Sequence, residues 1–182
     1  MENPGEELVG SYLKEILDCE FVEFNLNTRF TQGEIDVVGI NYAKKIVYVC
    51  EVATHLETGM QYVKGNQPDN VDRFVKKFEK NIEFANRKFA DWQKVFMLWS
   101  PIVKKTKEGS KHDQMRDVGE IKKIIKNRFN QDIQVIVNSD YLRCINELRK
   151  VAKSRTDEIK SPLMRFMQIE EKLKAYLEKS RK

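Results

Sequence analysis

Apolar residues near the start of the chain recur at helical spacing: over residues 6–18, Leu8, Val9, Tyr12, Leu13, Ile16 and Leu17 share one face. The period then shortens to two. Residues 21–26 read as a strand, and two β-branched runs, 33–40 and 45–53, joined by a short turn at 41–44, complete a three-stranded meander. In the third strand Val47 and Val49 face one way while Ile46, Tyr48, Cys50 and Val52 face the other, so this strand should be central and covered on both sides. Helical spacing returns over 70–90 in Val71, Phe74, Val75, Phe78, Ile82 and Ala85, with Asp69 or Asn70 as the cap. Residues 95–99 form an apolar strand, 118–129 a basic amphipathic helix and 133–138 another strand, which gives the core order αβββαβαβ.

Beyond residue 140 the pattern is helical and basic. One stripe carries Tyr141, Leu142, Ile145, Leu148 and Val151; after Pro162 a second carries Leu163, Phe166, Met167, Leu173, Tyr176 and Leu177. Such stripes need cover from the core, a second copy or another protein, and packing on the core or in a homodimer is the expectation. The chain therefore divides into an α/β core over 1–140 and a basic helical extension over 141–182.

Composition narrows the classes. With 41% hydrophobic residues and only 8 Gly and 4 Pro in 182, the chain can bury a core and is not of low complexity. It has no apolar run long enough to span a bilayer, and the acidic residues Glu2, Glu6 and Glu7 do not suit a secretory leader, so a soluble, cytoplasmic protein without membrane contact is expected. Cys19, Cys50 and Cys144 form no CxxC pair and read as reduced thiols. Residues 1–60 hold 4 Lys/Arg against 11 Asp/Glu, whereas residues 141–182 hold 12 against 6. An acidic first third joined to a basic remainder suits a cation site within a surface for polyanions. The polar segment 104–116 reads as a surface loop or a phosphate-contacting one.

Two acids stand where acids are expensive. Asp36 and Glu51 lie inside the two most apolar strands, and period-two alternation lets adjacent strands bring them together. Converging carboxylates repel unless a cation or proton lies between them, and hard oxygen donors favour Mg²⁺ or Mn²⁺. Replacing one of them, as in Asp36→Asn, should then stabilise the metal-free protein slightly.

Glu7 with Tyr12-Leu13, Asn27-Thr28-Arg29, Gly33-Glu34-Ile35-Asp36 and Glu51-Val52 follow one another in an order and spacing that resemble the PD-(D/E)XK nuclease superfamily, within it small bacterial proteins related to archaeal Holliday-junction resolvases. The resemblance implies a restriction-endonuclease-like αβββαβ core, a central mixed sheet flanked by helices, with the carboxy-terminal helices added. It implies that Asp36, Glu51 and the carbonyl of Val52 hold Mg²⁺ or Mn²⁺, that Glu7 joins them directly or through water, and that the protein hydrolyses DNA phosphodiesters, in branched or structured DNA by the closest likeness. The lysine that this family carries two residues after the glutamate is Ala53 here. Lys64 is the first candidate to replace it, His55 the second, and Lys76 or Lys77 the third. Arg29, Lys76, Lys77, Lys104 and Lys105 are the expected nucleic-acid contacts. The alternatives are a nucleic-acid-binding module without cleavage, as the missing lysine would have it, and a protein-interaction scaffold.

Overall fold

The computed structural model describes residues 3–28, 33–107 and 112–180. Helix α1 (Pro4–Glu15) opens two residues ahead of the expected start, because the Asn3 side chain accepts from Gly5 N–H and Pro4 takes the first turn, where a missing N–H costs nothing. Strands β1 (Phe21–Asn27), β2 (Glu34–Asn41) and β3 (Ile46–Val52) form the antiparallel meander. A short hairpin, β4 (Val63–Lys64) with β5 (Gln67–Pro68), follows in the polar stretch where no strand was expected. Then come α2 (Asn70–Lys88), β6 (Gln93–Ser100), α3 (Gln114–Phe129), β7 (Ile133–Val137), α4 (Ser139–Ser154) and α5 (Pro162–Ser180). Helix α3 begins four residues earlier than its apolar spacing predicted, since Asp113 caps it by accepting from Arg116 N–H. That turn removes the end of the expected 104–116 loop.

The main sheet is mixed, in the order β1-β2-β3-β6-β7. Strands β3, β6 and β7 run parallel, linked by the crossover helices α2 and α3, as parallel neighbours require. Strand β3 is central, as its two apolar faces predicted. Val47, Val49 and Ala53 join Phe74, Phe78, Ile82, Ile121 and Ile125 of α2 and α3 in one core layer. Tyr48, Cys50 and Val52 join Leu13, Trp99, Tyr141 and Leu148 in the other, under α1, α4 and α5. Gly10 lets α1 lie close on β1: a Cβ there would come within 2.3 Å of the Phe24 ring.

The two carboxy-terminal helices differ. Helix α4 buries Tyr141, Cys144 and Leu148, and Tyr12 Oη donates to Glu147 at 2.7 Å. Helix α5 splits the stripe expected of it: Met167 is buried, whereas Phe166, Leu173, Tyr176 and Leu177 face solvent, because consecutive helical residues point about 100° apart. Among the described residues no helix is long and apolar enough to cross a membrane.

Candidate functional site

The pairing of Val37 with Cys50, continued by one residue, sets Asp36 opposite Glu51, and both face α2. Period-two alternation in two adjoining strands thus delivers the convergence expected of this pair. Glu51 is wholly buried and Asp36 nearly so, with 14% of its side chain exposed. Each carboxylate has partners. The Val52 N–H donates to Asp36 Oδ2 at 2.7 Å, and Asn81 Nδ2 of α2 donates to Glu51 Oε1 at 2.7 Å.

The third member is Lys77, also from α2. Its ammonium donates to both oxygens of Asp36 at 3.2 Å and to Glu51 Oε2. The charges set the protonation. Burial raises the Glu51 carboxyl, the Asp36 charge adds to this, Lys77 and Asn81 oppose it, and the net result is a rise to about 7. Burial alone would lower the Lys77 ammonium, but Glu51 and then Asp36 outweigh it and the net shift is upward. Asp36 is therefore held by a backbone donor and an ammonium, so Asp36→Asn would forfeit an ion pair as well as relieve repulsion. The slight stabilisation expected from repulsion alone does not follow.

The pair lies beside a basic cleft of about 350 Å³ lined by Gly33, Glu34, Lys64, Asp69, Arg73, Lys76, Lys77 and Lys80. Lys80 Nζ donates to the Glu34 carbonyl, and burial lowers its ammonium. Arg73 lies over the Tyr62 ring, 4.4 Å from its centroid. Lys64, Lys76 and Lys77 thus share one cleft, and Lys77 links it to Asp36 and to the buried Glu51 behind its wall. Arg73, Lys80 and Asn81 were not singled out in the sequence, although Arg73, Lys77 and Lys80 follow helical i, i+4, i+7 spacing.

Other expected members lie elsewhere. Strand β3 ends at Val52, and exposed His55 sets its ring edge-on to Tyr62 at 5.3 Å. Glu7 accepts from Ser161 Oγ and Leu163 N–H, both at 3.0 Å, at the start of α5. Its neighbour Glu6 is the acid of α1 that senses Asp36: burial raises its carboxyl, Asn25 opposes this by donating at 3.2 Å, and Asp36 adds to the rise. Ala53 is 1% exposed in the core beneath α2. A lysine there would overpack that layer. Lys104 Nζ donates to the Glu57 carbonyl at 2.6 Å and Lys105 is exposed beside it, both on the loop after β6. Arg29 lies outside the described residues.

As a cation site, the pair offers oxygen donors alone, the chemistry that suits Mg²⁺ or Mn²⁺. Among the described residues no group of three His, Cys, Asp or Glu side chains closes on one point, so the carboxylates would need a backbone carbonyl or water to complete a shell. The donor set fits a divalent ion that shares it with Lys77. No family model, curated protein or solved structure matches the chain.

Proposed function

We propose that the protein is a Mg²⁺- or Mn²⁺-dependent DNA endonuclease of the restriction-endonuclease-like kind, with Lys77 in the role that the resemblance gives to a lysine two residues after Glu51. The observation that carries this reading is the reach of the Lys77 ammonium from α2 to both Asp36 and Glu51, which restores to the acid pair the cation that Ala53 cannot supply. Asp36, Glu51 and the Val52 carbonyl would hold a divalent ion, which would polarise the scissile phosphate and make a bound water more acidic. The chain does the rest. The Val52 N–H fixes Asp36, Asn81 fixes Glu51, and Lys77 meets the charge that develops on phosphorus. Arg73, Lys76, Lys80 and Lys64 offer the flanking phosphates a row of cations without base-reading geometry, so recognition is of backbone and shape.

Cleavage of labelled duplex and branched DNA in Mg²⁺ or Mn²⁺ tests this. Lys77→Ala should lower the rate by about 10²-fold or more while DNA affinity changes only a few-fold. Lys64→Ala should weaken binding more than it slows cleavage. Cleavage by Lys77→Ala at the wild-type rate would overturn the assignment of the lysine.

A second reading, nucleic-acid binding without cleavage, is favoured by the same ammonium, since its ion pairs satisfy both carboxylates with no metal present. Failure of the wild type to cut any DNA in either metal, combined with salt-sensitive binding, selects that reading.

A further inference from the structure

Helix α5 is apolar on two opposite sides. One side, with Met164, Met167 and Gln168, is buried against the body of the protein. On the other, Phe166, Ile169, Leu173, Tyr176 and Leu177 are each 47–67% exposed. Their spacing, i, i+3, i+7, i+10 and i+11, is the seam of a two-stranded coiled coil, with Phe166 and Leu173 at one core position and Ile169 and Tyr176 at the other. Lone exposed apolar residues are ordinary; five on one continuous line are not. From Lys172 onward every described residue except Ala175 is exposed, so the last turns of α5 stand off the body. A helix of that length is marginal in water without a partner along its apolar face.

Charge identifies the partner. Arg165, Lys172 and Lys179 border the seam on one side, Glu170 and Leu177 on the other. In a parallel pairing with a second copy, Arg165 lies across from Glu170 of the other helix, and the Lys172 stem lies over Leu177. Within one copy Arg165 bridges Glu158 and donates to Gln168, both at 2.8 Å, Lys172 Nζ donates to the Lys153 carbonyl at 3.0 Å, and Glu170 bridges Arg149 and, at 2.8 Å, Lys174, so the Arg165–Glu170 contact between copies forms by exchange with these pairs. An antiparallel pairing sets the Lys172 and Lys179 row against itself. We infer that α5 joins two copies of this chain in parallel through Phe166, Ile169, Leu173 and Tyr176. The seam covers about two heptads, less than a standard interface, which predicts a weak, concentration-dependent dimer rather than an obligate one.

Sedimentation equilibrium of the full chain between about 1 and 100 µM should show a shift from monomer to dimer, the weak association expected of a small interface. Ile169→Glu and Leu173→Glu should each remain monomeric at the highest concentration while keeping the wild-type melting curve at about 1 µM, where both are monomers, because each side chain is more than half exposed. Ser180→Cys, at the next seam position, should form an intermolecular disulfide under mild oxidant, the native cysteines being buried. A wild type that stays monomeric, including one that instead sediments with anionic vesicles, overturns the inference, as does a dimer that survives both glutamates. A dimer in which Ser180→Cys fails to cross-link overturns the parallel arrangement.

Discussion

Helices α2 and α5 are both 19 residues long, yet they use their side chains in opposite ways. Helix α2 buries eight residues and supplies both a cation and an amide to a pair of acids, so that both carboxylates find partners within the chain, while the Asn81 Oδ1 is left buried without one. Helix α5 buries three and leaves five large apolar residues in water. The contrast separates two signs of function. A buried cluster of charges held by internal partners is costly to assemble, which is why the proposed chemistry is placed there. An exposed apolar face on a helix is the ground for the proposed pairing of two copies.

Substitutions on the two helices should therefore differ in size and in their dependence on pH. The largest effect is expected from Lys77→Met, which strands two carboxylates: without divalent ions the protein should lose about 3–5 kcal/mol at pH 8, as when one partner of a buried ion pair is removed. The loss should shrink toward pH 5, where Glu51 takes up a proton, and denaturant titrations in chelator at the two pH values would show it. An equal loss at both would mean that Lys77 matters through packing rather than charge.

Glu51→Gln sharpens the same point with opposite sign. The Glu51 carboxyl is raised from its ordinary value to about 7, so the stability it contributes is present below about pH 4.5 and is lost as pH rises through 7. Relative to the wild type, the glutamine variant should gain on the order of 3 kcal/mol between pH 4.5 and pH 8 in the absence of metal. A difference that does not change with pH would place the titrating proton elsewhere.

Glu7→Gln should cost about 1 kcal/mol, the usual worth of a helix cap, because Glu7 accepts from two donors at the start of α5. Amide exchange that quickens in α5 while α2 stays protected would locate the loss. Leu173→Glu should have the smallest effect on the monomer, within about 0.5 kcal/mol, as for other exposed sites. A clear drop in its melting temperature at low concentration would mean that Leu173 already has a partner within the chain.

Much of this was legible in the sequence because it is periodic. Alternation in β2 and β3 determined which acids share a face, and a strand apolar on both sides announced a covered centre. Phase between distant elements was not legible. Glu6 and Glu7 are adjacent and chemically alike, and only the seating of α1 decides that Glu6 approaches Asp36 while Glu7 turns to α5. For the same reason Lys77 ranked only third among the candidates to replace the missing lysine, although Asn70, Phe74, Lys77 and Asn81 lie on one line of α2, and two amides and a lysine in register with a buried phenylalanine are a signal of inward-facing polarity. The hairpin around Gly65 gave no apolar alternation to read, and the exposure of the α5 seam depends on which of its two apolar sides meets the core.

Glu6 and Glu7 also make a single turn of α1 common to both ends of the molecule, one residue beside the acid pair and the next fastening the start of α5. If the proposed ion site and the proposed pairing of the tails are linked through this turn, the coupling is reciprocal: whatever factor pairing applies to ion affinity, ion binding must return to the association constant. Ion titrations carried out on both sides of the dimerisation midpoint would read that factor directly, and in Glu7→Gln, where the fastening is cut, it should fall toward one.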